Sequence, residues 1–366
     1  MRRSYFDTLT FNSIKGIAVI LLFILHFFAS SDLWLPEFRN PSFQLFEKYF
    51  CYSANMCVAI FAFLTGYGFW FSSGKNFVRT VRKAYAVLSV YWEIYFLFLA
   101  IAAITGIYTE FNIKKIGLSL IGLDENNVIG DIIAFHWYLA FYLAVLVLLP
   151  AFHYLLSRRE NVLRDIFYLV LAPLFIFSCL GNLVSSFYCL KRFLVDLVLW
   201  FPCVGMGYIT ARYSVFERID LLFYRLCNKG VKWLRFVIGI FFIALTVYGM
   251  YRCPGVIYTT KLPWLLPIVL NMSVFYIILF TYSLAVFFKA IHNSRLQLML
   301  SVLGNISLYM WLFNGIFFNG FKLYTQPFLL LPKYPLFILA WGLVICFMLT
   351  KILIFFNNLV IIRASK

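Results

Sequence analysis

The chain has 366 residues, of which 64% are hydrophobic and 12% charged, and its mean hydropathy is +0.90. A soluble domain carries about 25% charged residues, so this chain cannot cover a water-facing surface, and a string of soluble domains is excluded. The net charge of +17 does not point to nucleic acid: the basic residues sit in short loops between apolar runs, where they orient a chain in a membrane and meet anionic headgroups.

The N-terminus opens with Arg2 and Arg3 and an apolar run, and Ala29-Ser30-Ser31 has the small residues of a weak cleavage site. That run is about 17 residues, longer than a usual signal core, and carries a histidine, so it reads as a retained first span. Runs long enough to span then recur, at about 14–30, 56–73, 84–107, 133–152, 166–182, 193–211, 236–251, 264–288, 300–319 and 336–357. The expected fold is one all-α, polytopic integral membrane domain over residues 1–366 with about ten transmembrane helices. With the N-terminus inside, nineteen Lys and Arg fall in inner segments and ten in outer loops, a bias that predicts both termini in the cytoplasm. The longest outer loops, about 31–55 and 108–132, are too small to fold alone. Eight cysteines occur without C-x-x-C spacing, so metal binding is not expected. Cys51, Cys189 and Cys253 fall in predicted outer loops and Cys57 opens the second span; a disulfide among them and packing as small apolar groups are both open.

An ionisable group in hydrocarbon is costly unless paired or wet, so each one marks a candidate site. Lys15 marks the inner end of the first span, and His26 follows eleven residues later. That is about 16 Å at 1.5 Å per residue, near the bilayer midplane, and the two lie within about 20° of one helix face. An imidazole exchanges protons near neutral pH, although an interhelical hydrogen bond also explains a lone histidine in a span. Arg79 and Arg82, in the inner loop before the third span, are i,i+3 neighbours if helical and suit phosphate oxygens; the inward bias of basic residues alone also places them there. Glu93, in the third span, needs a partner, for which Lys351 or His26 could serve. His136, Trp137 and Tyr138 enter the fourth span from outside. The aromatics fit an interfacial belt or the face of a sugar ring, and His136 could orient a hydroxyl. Asp196 is expected to pair with Arg192 one turn back. His153 and His292 read as ordinary interfacial histidines.

These residues resemble the acyltransferase-3 family. Lys15-Gly16-Ile17-Ala18 through His26-Phe27 is similar to its opening signature, a basic residue, ten residues, then His. Arg79-x-x-Arg82 resembles its second motif. Val58-Ala59-Ile60-Phe61-Ala62-Phe63-Leu64-Thr65-Gly66-Tyr67, His136-Trp137-Tyr138-Leu139 and Gly304-Asn305-Ile306-Ser307-Leu308-Tyr309 resemble later segments. The resemblance implies transfer of an acyl group, often acetyl, from cytoplasmic acyl-CoA to a hydroxyl of a surface polysaccharide or lipid-linked sugar. It implies that His26 is catalytic, as general base or as covalent acyl carrier, and that Lys15, Arg79 and Arg82 hold the donor's phosphates. His136, Trp137, Tyr138, Glu93 and Asn314 are then the candidate acceptor-side residues. Two positions depart from the pattern: Lys15 stands where Arg is frequent, and Asn314 stands where many members carry His. The expected domain leaves out the appended hydrolase-like domain of some members, so product release is expected unaided or with a separate partner, for which glycan-assembly proteins are candidates beside membrane lipids. A second reading from the same residues is a polysaccharide or lipid-linked sugar transporter or flippase, which needs spans and aromatics but no coenzyme A site.

Overall fold

The computed structural model describes residues 4–28, 54–72, 76–106, 113–123, 137–184, 188–227, 273–318 and 322–364, with scattered positions between 237 and 248. Among these residues the structure is helical and contains no strand. The first helix, α1 (Thr8–Phe28), begins six residues before the expected span, because Asp7 caps it: its Oδ1 accepts from the Thr10 N–H at 2.6 Å. Then come α2 (Met56–Phe71), α3 (Phe77–Ile104) and the short α4 (Ile113–Ser119). Asn76 caps α3 by accepting from the Arg79 N–H at 3.1 Å, so Arg79, Arg82 and Lys83 belong to the first two turns of a helix and not to a loop. The Tyr91 hydroxyl and Trp92 indole N–H donate to the Ser119 and Leu120 carbonyls, each at 2.8 Å, which fastens α4 to α3.

After α5 (Trp137–Ser157) the chain forms α6 (Val162–Ile166), a π-helical turn at Phe167–Leu171 and α7 (Ala172–Leu183). The long α8 (Tyr188–Arg212) follows, and Ser214, at a left-handed φ of 50°, turns the chain into α9 (Val215–Cys227). On α9, Phe216 is buried against Tyr5, Phe6 and Tyr67, while Leu221, Leu222 and Tyr224 are exposed. The last helices are α10 (Ser273–Ala290), α11 (Arg295–Asn305), α12 (Ser307–Phe318), α13 (Lys322–Leu329) and α14 (Pro335–Ala364).

Six helical stretches among the described residues are long and apolar enough to cross a membrane: Thr8–Phe27, Phe77–Ile104, Trp137–Leu156, Val162–Gly181, Cys189–Arg212 and Pro335–Asn358. The bent pair α11–α12 makes a seventh if counted as one broken span, its halves meeting at 72°. The α2 helix and Tyr276–Ala290 are apolar but shorter. The tenfold count therefore stands as an expectation: 236–251 lies mostly outside the described residues, and 264–288 is described only from Ser273. The single expected span 300–319 is replaced by a break at Ile306.

Two glycine pairs set the centre of the bundle. A Cβ on Gly16 would lie 2.1 Å from the Leu300 carbonyl oxygen, and one on Gly304 1.9 Å from that of Asn12, so α1 and α11 touch backbone to backbone. Gly66 and Gly207 do the same for α2 and α8, at 1.9 Å from the Val204 carbonyl oxygen and 2.0 Å from that of Phe63. Small residues at such contacts let helices approach where lipid offers no hydrophobic drive to associate. Around these contacts Ile14, Phe23, Phe63, Phe201 and Tyr208 are fully buried.

Candidate active site

The helices enclose a cavity of about 950 Å³ walled by α1, α2, α3, α5, α8 and the α11–α12 break, at the upper end of the usual range for ligand sites. Its lining on α1 runs from Phe11 to His26. Fifteen residues of helix rise about 22 Å, so the cavity extends through most of a bilayer core. One end is basic and carries Lys15 and Lys83; the other carries Asn55, Trp137, Arg192 and Asp196.

His26 is 8% exposed and lines the cavity. Its Nδ1 is hydrogen-bonded to Oδ1 of Asn314, which is fully buried on α12. A carbonyl oxygen only accepts, so Nδ1 carries the proton and the basic lone pair of the ring is on Nε2. Asn314 thus meets the catalytic candidate directly. Phe27, the next residue, packs so closely on α14 that a Cβ on Gly342 would lie 2.4 Å from its ring. The histidine is held from both flanking helices.

At the basic end, the Lys15 ammonium sits 5.0 Å from the centre of the Phe11 ring, and Lys83 is near enough for the two charges to repel. Arg79 in turn adds its charge beside Lys83. Lys83 and Val87 face the cavity, one turn apart on α3. Arg79 lies one turn before Lys83 on the same stripe, and Arg82 points about 100° away from Lys83. Neither arginine lines the cavity; both are exposed. The i,i+3 spacing of Arg79 and Arg82 leaves out Lys83, which reaches the cavity because α3 carries it on the same stripe as Val87. The apolar Val87 one turn on is the signal that could have found it.

At the opposite end, Trp137 and Tyr138 both line the cavity, and Tyr138 stands edge-on to Trp311 with ring centres 5.7 Å apart. His136 lies outside the described residues. Trp200 and Trp311 also line this region; sequence reading did not single them out. Asp196 is 8% exposed and lines the cavity with Arg192, yet the expected ion pair between them does not form. Glu93 is also corrected as to its partner. It accepts from Asn357 Nδ2 on α14 at 2.9 Å, not from Lys351 or His26, because α3 and α14 bring residues 264 positions apart together. Glu93 does not line the cavity. Lys351 is exposed, 5.4 Å from the Phe347 ring.

A second polar cluster lies outside the cavity. Asp165, 0% exposed, accepts from the Tyr213 hydroxyl at 2.8 Å and from Arg164 at 3.0 and 3.2 Å, and lies 3.3 Å from Arg212. Arg212 also donates to the Leu156 and Arg159 carbonyls at 2.9 and 2.8 Å. This network ties α5, α6 and α8 together. Burial and the Asp165 carboxylate push the Tyr213 hydroxyl up to about 12. Among the cysteines, Cys57 and Cys346 are buried thiols, and Cys51 and Cys253 lie outside the described residues. Among the described residues no three His, Cys, Asp or Glu side chains converge as metal ligands would.

No curated protein and no solved structure is significantly similar to the chain. Residues 9–355 match the family model described as an acyltransferase domain, and the chain accordingly belongs to the acyltransferase-3 family, whose members pass acyl groups to carbohydrate hydroxyls.

Proposed function

We propose that this protein is an O-acyltransferase of the cell membrane that takes an acetyl group from acetyl-CoA on the cytoplasmic side. It passes that group to a hydroxyl of a surface polysaccharide or lipid-linked sugar. The observation that supports this most is a single cavity with ammonium groups at one end, an imidazole inside and indole rings at the other. In this reading the Lys15 end faces the cytoplasm. Lys15, Lys83 and Arg79, with Arg82 at the rim, hold the phosphates of coenzyme A, and Trp137 and Tyr138 stack on the acceptor.

His26 acts as general base. Its Nε2 takes the proton of the acceptor hydroxyl as that oxygen attacks the thioester carbonyl carbon. The C–S bond then breaks, and the proton passes to the departing thiolate, giving an ester and free coenzyme A. Asn314 carries no charge, so its part is to fix which ring nitrogen is basic and which way the ring faces.

The test is acetylation of surface glycans in cells expressing His26→Ala, read by mass spectrometry, with the amount of inserted protein measured alongside. A loss of about 10²–10⁴-fold at equal insertion is expected from removing a general base. Normal acetylation by the variant would overturn the proposal. Purified wild-type protein that acetyl-CoA fails to stabilise would overturn the donor assignment.

A further inference from the structure

We infer that Asp196 and Trp200 form the acceptor subsite at the far mouth of the cavity, and that this subsite takes a neutral pyranoside through its hydroxyl groups. This inference rests on the proposed function. It replaces Glu93 with Asp196 as the carboxylate that meets the acceptor.

Asp196 is 8% exposed, lines the cavity, and its Oδ2 receives no hydrogen bond. It lies seven residues inside the apolar stretch Cys189–Arg212, about 10 Å from that end. A carboxylate in such a place is expensive unless something completes it. Among the described residues the charge that acts on it is Arg192, one turn away on the same stripe, and no ion pair within 4 Å joins the two. The two groups are thus spaced apart at the mouth, one accepting and one donating. A sugar hydroxyl can donate to the first, and its neighbour's oxygen can accept from the second.

One further turn along α8, Trp200 faces the same cavity, with Trp137 and Trp311 on other walls. A carboxylate beside indole faces suits a ring that has apolar C–H faces and hydroxyl edges. An acidic sugar is disfavoured, because its carboxylate would meet Asp196 in a low-dielectric wall. Glu93 has none of these features: it is bonded to Asn357 and lies off the cavity.

The experiment titrates the purified full-length protein in detergent with methyl glucopyranoside, methyl galactopyranoside and methyl glucuronoside, following tryptophan fluorescence. Wild type should bind at least one neutral glycoside and discriminate against the glucuronoside. Asp196→Asn should weaken neutral-glycoside binding by about tenfold or more and shrink the discrimination, while acetyl-CoA still raises its melting temperature. Trp200→Phe provides a second variant in case Asp196→Asn fails to fold, and it should weaken binding of the neutral glycosides alike. Absence of binding by all three glycosides, preference for the glucuronoside, or unchanged binding in both variants would overturn the inference. If acetyl-CoA stabilises the wild type while no glycoside binds, the subsite falls and the donor reading stands. If acetyl-CoA fails to stabilise, the donor reading falls and the glycoside titration still judges the subsite.

Discussion

Two buried aspartates in this bundle have opposite surroundings. Asp165 is 0% exposed and is surrounded by Arg164, Arg212 and Tyr213, which leave its carboxylate well supplied with donors. Asp196 is 8% exposed, opens on the cavity, and has an oxygen with no donor. A buried charge whose partners are all present in the chain holds the fold together; under the inference above, one that opens on a cavity with an oxygen unbonded is completed by what enters. The same contrast separates Glu93, bonded to Asn357 and off the cavity, from His26, which is bonded to Asn314 and lines the cavity.

Arg212→Ala breaks the contrast most severely. It removes the buried guanidinium from Asp165, leaving the half-buried Arg164 and the Tyr213 hydroxyl, and a loss of about 3 kcal/mol of stability is expected. Thermal unfolding of the purified variant should show a large drop, or the protein should fail to accumulate in membranes. An unchanged transition would mean that Asp165 does not need its partner.

Asn314→Leu comes next. It keeps the branched shape but removes the acceptor at Nδ1, so the ring loses its orientation. A fall in kcat of about 10²-fold is expected from such misplacement, with the KM for acetyl-CoA unchanged. Full activity would show that the His26–Asn314 hydrogen bond does not position the ring.

Lys83→Ala should raise the apparent KM for acetyl-CoA by roughly tenfold, the worth of one charge-assisted hydrogen bond. Arg82→Ala should do less, since Arg82 points away from the cavity. Equal effects from the two would place the phosphates at the rim of α3 and not inside the mouth. The smallest effect belongs to Asp196→Asn read as stability. Neutralising an uncompensated carboxylate should change unfolding by less than about 1 kcal/mol, and toward a gain. A loss as large as that of Arg212→Ala would move Asp196 into the structural class and erase the comparison.

The sequence made His26 and Lys15 legible because helix geometry alone relates them: eleven residues are close to three turns, and both line the cavity. Trp137 and Tyr138 were readable from composition at a span entrance. The place of Lys83 on the cavity wall was hidden because the expected span began only at residue 84. The Asn76 cap starts α3 seven residues early, and one helical turn decides which basic residue faces inward. Asp196 was misread for a different reason. The i,i+4 rule supplies Arg192 as a partner, but side chains on a cavity wall need not close on each other when the space between them is open. No local signal could have paired Glu93 with Asn357 or His26 with Asn314, because these contacts depend on how α3, α12 and α14 pack. The break at Ile306 lacks any proline and shows only as Gly304-Asn305 inside an apolar run.

That break has a price in reaction economy. Backbone groups freed between α11 and α12 cannot be left to hydrocarbon, and they are tolerated only where protein or a water-filled space receives them. Asn305 and Ser307 open on the same chamber as His26. Polar groups on that wall give water a place to bind, and under the proposed function a thioester held there is within reach of hydrolysis as well as of transfer. Slow acceptor supply should then show up as wasted donor and not as a resting enzyme.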